Sequence, residues 1–129
     1  MQSFRPHIHG VANLVQLAHS SRHNALVLFV SSVSTVASMA SGTAPEAPVD
    51  RVSASAAMGY SRSKLVAEIL LDRAAQRSRV HSAVCRVGVV AGPVETMAGM
   101  WNRHEYIPSV SEVVVVVIWY HCQGGDGPH

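Results

Sequence analysis

Ala25-Leu-Val-Leu-Phe-Val-Ser-Ser32 decides the fold. Six apolar residues run without alternation and end in serines, just after the polar turn Ser20-Ser-Arg-His-Asn24. A short continuous apolar run suits a parallel strand buried on both faces. Upstream, residues 6–20 read as a helix. Val11, Leu14, Val15 and Ala18 recur at i, i+3, i+4 and i+7 and make one apolar face. Pro6 suits a helix start, where its missing N–H costs nothing. Downstream, residues 37–56 are small and polar, with Gly42, Pro45 and Pro48, the pattern of a surface loop. Residues 59–78 turn helical again, with Val66, Ile69, Leu70 and Ala74 as the expected buried stripe. Val80-His-Ser-Ala-Val-Cys-Arg-Val87 is the next strand, ended by Gly88. Helix, strand, loop, helix, strand is the order of an α/β fold, a parallel sheet with crossover helices.

Composition narrows the class. A chain of 129 residues holds one domain at most. Hydrophobic content of 48% against 14% charged favours a packed chain over a disordered one. A net charge of +2, with scattered Lys and Arg, makes no case for nucleic acid. Two cysteines, Cys85 and Cys122, are too few for a disulfide scaffold and read as reduced thiols of a cytoplasmic protein. No signal-peptide pattern precedes them. The apolar run Val113-Val-Val-Val-Val-Ile-Trp-Tyr120 is far below the roughly 20 residues that span a bilayer, so no membrane partner is expected. Its β propensity is strong, although a buried helix fits it too. Gly124-Gly-Asp-Gly-Pro-His129 should fray. Eight histidines are scattered, and His104-Glu105 lacks the second His of a zinc motif, so no metal site is expected. Trp101 reads as packing or as the wall of a substrate loop.

Chemistry concentrates at Tyr60-Ser-Arg-Ser-Lys64. Tyr60 and Lys64 are four positions apart on a helix and share a face. Carbonyl reduction needs a hydride and a proton for the developing alkoxide. A free tyrosine, titrating at about 10, is a poor acid–base partner at neutral pH. A neighbouring ammonium stabilises the tyrosinate, and the same cation can hydrogen-bond a cofactor ribose. A serine on the adjacent strand end can hold the substrate oxygen. The bland alternative is a surface Tyr beside a solvated Lys that pairs with Glu68, four residues on.

Five stretches carry a family resemblance. They are His9-Gly-Val-Ala-Asn-Leu-Val-Gln-Leu-Ala18, Phe29-Val-Ser-Ser-Val-Ser-Thr-Val36, Gly59-Tyr-Ser-Arg-Ser-Lys-Leu-Val-Ala-Glu68, Arg86-Val-Gly-Val-Val-Ala-Gly92 and Gly99-Met-Trp-Asn-Arg-His-Glu-Tyr-Ile-Pro-Ser109. Together they resemble the extended short-chain dehydrogenase/reductase superfamily. The chain looks most like the thioester reductase domains that end nonribosomal peptide synthetases and adenylate-forming reductases. The last block, with its Trp-Asn and Pro-Ser pairs, is the most specific to that group. The resemblance covers roughly residues 4 to 112, and residues 113–129 form an unplaced hydrophobic and Gly-rich tail.

The resemblance implies a site. Ser32 matches the catalytic Ser/Thr, with Ser31 as second choice. Tyr60 and Lys64 match the catalytic pair and contact the cofactor. Val87 and Gly88 match the loop that passes the nicotinamide, although Val87 stands where the family usually has Pro. The family's Gly-x-x-Gly-x-x-Gly phosphate loop, with its strand and helix, has no counterpart here. Nor has the basic residue that grips a 2′-phosphate. Gly124-Gly-Asp-Gly127 cannot stand in, since no helix follows it. The expected fold is therefore a partial Rossmann-like parallel sheet, truncated at its N-terminus.

The implied activity is NADPH-dependent reduction of an acyl thioester held on the phosphopantetheine of an acyl carrier (thiolation) domain. A hemithioacetal would collapse to aldehyde, and a second reduction would give alcohol. One alternative is a truncated, non-catalytic remnant or interaction module. A further one is a sugar-nucleotide epimerase or dehydratase with the same triad, which the Trp101-Asn102 block disfavours.

Overall fold

The computed structural model describes residues 4–39, 44, 46–78, 80–88 and, for the backbone alone, 117–122. Helix α1 spans Arg5–Ser20, strand β1 Val27–Ser32, helix α2 Gly59–Ser78, strand β2 Ser82–Val87 and strand β3 Val117–Cys122. Short 3-10 turns lie at Val33–Thr35 and Val52–Ala54. Asn24 leads into β1 with φ of 46°, a left-handed conformation that Asn tolerates.

β1 and β2 pair in parallel, from Val27 opposite Ser82 to Ser32 opposite Val87. Helix α2 is the crossover between them, the α/β unit expected from the order of elements. β3 joins the other edge of β2 antiparallel, from Val87 opposite Val117 to Ser82 opposite Cys122. The end of the valine-rich segment, from Val117, thus enters the sheet as a strand. The Trp101-Asn102 block, His104-Glu105, Pro108 and the run from Gly124 to Gly127 lie outside the described residues.

Both helices pack on one face of the sheet. Val11 of α1, Ala67, Leu71 and Ala75 of α2, and Val84 of β2 form one core, flanked by Val15, Val27, Phe29 and Leu70. A second core joins Leu65 to Val36, Val49 and Ala54.

Four local expectations need correction. β1 is buried on one face only: Phe29 turns inward, whereas Leu28 and Val30 are exposed on the opposite face. β1 ends the strand order, and among the described residues nothing covers that face. The region 46–56 is not simply surface, because Val49 and Ala54 are buried against Leu65. The stripe of α2 is rotated by about one residue. Leu65, Glu68, Leu71 and Ala75 are buried, and Val66, Ile69, Leu70 and Ala74 are half-buried. Small buried residues at Ser61, Ser63 and Ala67 let that face of α2 approach its neighbours closely. On α1, Leu14 is exposed for the same kind of reason: Val11, Val15 and Ala18 take the inward positions.

Candidate active site at the carboxyl ends of the parallel strands

Ser32 is the last residue of β1. Its Oγ accepts from the Ser34 N–H at 3.2 Å and from Ser34 Oγ at 3.0 Å. It thereby caps the 3-10 turn that follows. Both bonds use Ser32 as acceptor, so its own O–H hydrogen stays available to an outside oxygen. Ser31, one residue earlier, points the other way along the pleat, as strand alternation requires. It is buried and donates to Glu68 Oε1. The two serines therefore differ in kind: one hydroxyl closes a core network, the other sits at the strand end.

Lys64 ties α2 to that strand end. Its Nζ donates to the carbonyl of Val30 at 2.8 Å. The same ammonium stands 4.8 Å from the centre of the Phe29 ring and 5.8 Å from that of Tyr60, within cation–π range of both. Tyr60 opens α2 and is 42% exposed. Its ring meets Phe4 edge-on at 6.4 Å. Val87 closes β2 directly opposite Ser32, and Gly88 follows it. Ser32, Val87 and Gly88 thus share the carboxyl edge of the parallel pair. Tyr60 and Lys64 start the helix that crosses between those strands. Ligands of open α/β sheets bind at this edge.

The surface pairing of Lys64 with Glu68, the bland alternative, does not form. Glu68 is buried and bound to Arg86. Arg86 Nη2 donates to Glu68 Oε2 at 2.6 Å, and Nε reaches both carboxylate oxygens at 3.1 and 3.3 Å. Nη2 also donates to the carbonyl of Ala47 at 3.3 Å. Ser31, Glu68 and Arg86 thus join β1, α2, β2 and the 46–56 segment below the strand ends. From the sequence, Glu68 read as a surface partner of Lys64, and Arg86 only as part of longer segments. The one local signal was a guanidinium at Arg86 directly after the apolar run Ala83-Val-Cys85 of a strand.

The chain belongs to the male sterility protein family of NAD-binding domains, whose model matches residues 1–119. It is 43% identical over 112 residues to a carboxylic acid reductase of Neurospora crassa, which covers 85% of this chain and 10% of that protein. It is 33% identical over 116 residues to an adenylate-forming reductase of Heterobasidion annosum, again 85% and 10%. An adenylate-forming reductase of Stachybotrys bisbyi is 31% identical over 118 residues, 85% of this chain and 11% of that one. The chain spans about a tenth of the length of these curated relatives. These matches agree with the resemblance to thioester reductase domains, and the observed fragment of parallel α/β sheet agrees with the Rossmann-like expectation.

Family membership makes a nicotinamide dinucleotide the cofactor class, and the residues present can be tested against it. A half-exposed phenol and an ammonium at the carboxyl edge suit the ribose and nicotinamide end. The pyrophosphate end has no match among the described residues. β1 runs into Val33-Ser-Thr35 rather than a glycine-rich turn. No metal-holding group of His, Cys, Asp or Glu occurs among the described residues. No described helix is long and apolar enough to cross a membrane.

Proposed function

We propose that this chain supplies the catalytic set of an NADPH-dependent reductase that converts carrier-bound acyl thioesters to aldehyde or alcohol. One observation carries the reading: Lys64 holds the end of β1 next to Ser32 while standing over the Tyr60 ring. Tyr60, Lys64, Val87 and Gly88 would hold the ribose and nicotinamide. A bound nicotinamide would supply hydride to the thioester carbonyl. Ser32 directs its free O–H to the carbonyl oxygen and orients it. Tyr60 delivers a proton to the same oxygen as charge develops there. Lys64 favours tyrosinate after that transfer and fixes the start of α2 against β1. The partner in this reading is a thiolation domain bearing a phosphopantetheine thioester, and the compartment is the cytoplasm. Residues 1–112 would form the reductase-like unit. Residues 113–129 would be a tail attached to it through β3.

The test replaces the corresponding segment of the Neurospora crassa relative with this chain. Given NADPH and a phosphopantetheinyl acyl thioester, the chimera should oxidise NADPH and release aldehyde. NADH should serve less well. A folded chimera that forms no aldehyde would favour the non-catalytic reading. Turnover of a nucleotide sugar instead would favour the epimerase class.

A further inference from the structure

A groove of about 500 Å³ lies between the first turns of α1 and α2. Phe4, Ile8, Val52 and Val66 give it an apolar lining, and Arg5 and Arg62 line it as well. Both arginines are exposed, and neither is ion-paired among the described residues. The acids nearest to Arg62 in sequence are otherwise engaged: Glu68 holds Arg86, and Asp72 accepts from Gln76. Neither helix carries an acidic residue in its first turn. The positive ends of both helix dipoles therefore add to the guanidiniums instead of being offset. Pockets of a few hundred Å³, mostly apolar with a few placed polar groups, suit small organic ligands. Charge of one sign beside an apolar lining selects an apolar body with an anionic end.

We propose that this groove binds an amphiphilic anion, an aliphatic chain of medium length ending in a carboxylate or a phosphate. Arg5 and Arg62 hold the anion, and Phe4, Ile8, Val52 and Val66 cover the chain. The Phe4 ring that walls the groove also touches Tyr60, so the occupant lies one ring away from that phenol. Binding here needs neither cofactor nor turnover, and its outcome is independent of the reductase reading.

Calorimetric titration of the 129-residue chain with octanoate, octyl phosphate, octanol and octylamine tests it. Both anions should bind saturably at one site, with octanol and octylammonium at least about tenfold weaker, because a charge-assisted bond is lost or reversed. Tighter octyl phosphate would assign a phosphate-ended ligand, and tighter octanoate a free acid. Arg62→Glu and Arg5→Glu should each weaken the anions about tenfold or more. Their melting temperatures should not fall, since both positions are exposed and an acid suits the first turn of a helix. Val66→Trp should block the groove. Equal binding of octanol and octanoate would overturn the proposal. So would unchanged anion affinity in the two folded arginine variants.

Discussion

Glu68 and Arg86 are buried to 1% and 0% exposure, and each has lost its water. Two desolvated charges are tolerable only while they face each other with their remaining hydrogen bonds made. Here those bonds come from Ser31 and from the carbonyl of Ala47. Glu68→Ala should therefore cost about 3–5 kcal/mol, because the guanidinium stays buried without its partner. The double variant Glu68→Leu/Arg86→Met should cost less than Glu68→Ala alone. Urea denaturation measures both, and a loss below about 1 kcal/mol in Glu68→Ala would contradict the buried pairing. Helical spacing alone made Glu68 a surface partner of Lys64. A charged residue on an amphipathic helix is outward by default, and only the distant Arg86 and Ser31 turn it inward. The placement of Tyr60 and Lys64 at the start of α2, and of Ser32 at the end of β1, was legible because helical spacing and a strand end are local patterns. The network beneath them was not, since its members lie on three elements far apart in sequence.

At the scale of elements, α2 carries much of the burial and two of the three proposed catalytic residues. Leu71 has no exposed surface and packs with Val11, Ala67, Ala75 and Val84. Leu71→Ala should cost about 2–5 kcal/mol, the usual range for a buried Leu truncated to a cavity. Val66→Ala, half-buried on the neighbouring line of the helix, should cost distinctly less. The shift of the urea midpoint decides between them. Equal losses would return the stripe to the positions that periodicity suggested. Gly59 starts the same helix where Phe4 leaves no room. A Cβ there would come within 3.0 Å of the ring edge. Gly59→Ala should push Phe4 off the Tyr60 ring, read as a change in the chemical shifts of both rings. Unchanged shifts would mean that the contact is loose. Helix α2 was legible from its period and clear ends, and the parallel pairing from a strand on either side of that crossover helix. The rotation of the stripe was not, because small residues such as Ser61 and Ala67 are poor hydrophobic markers yet allow the closest packing.

For the whole molecule, the dominant feature is one open face. Leu28 is 58% exposed and Val30 is 55% exposed on β1, and Leu14 and Leu17 of α1 are exposed as well. β1 pairs on one side only among the described strands. An apolar edge strand of this kind invites association. The chain should sediment as a concentration-dependent mixture, and Leu28→Lys should shift it towards monomer. No change in Leu28→Lys would place the association elsewhere. The described core residues lie between Val11 and Val84, so removal of residues 113–129 should leave one cooperative unfolding transition. Loss of that transition would make β3 part of the folding unit. The central claim remains the reductive set at the strand ends, and Tyr60→Phe tests it most directly. The substitution goes into the chimera with the Neurospora crassa relative, and NADPH oxidation is followed at saturating thioester. Turnover should fall roughly 10²-fold or more with the fold intact, because the positioned proton donor is gone. Near-normal turnover in Tyr60→Phe would contradict that claim.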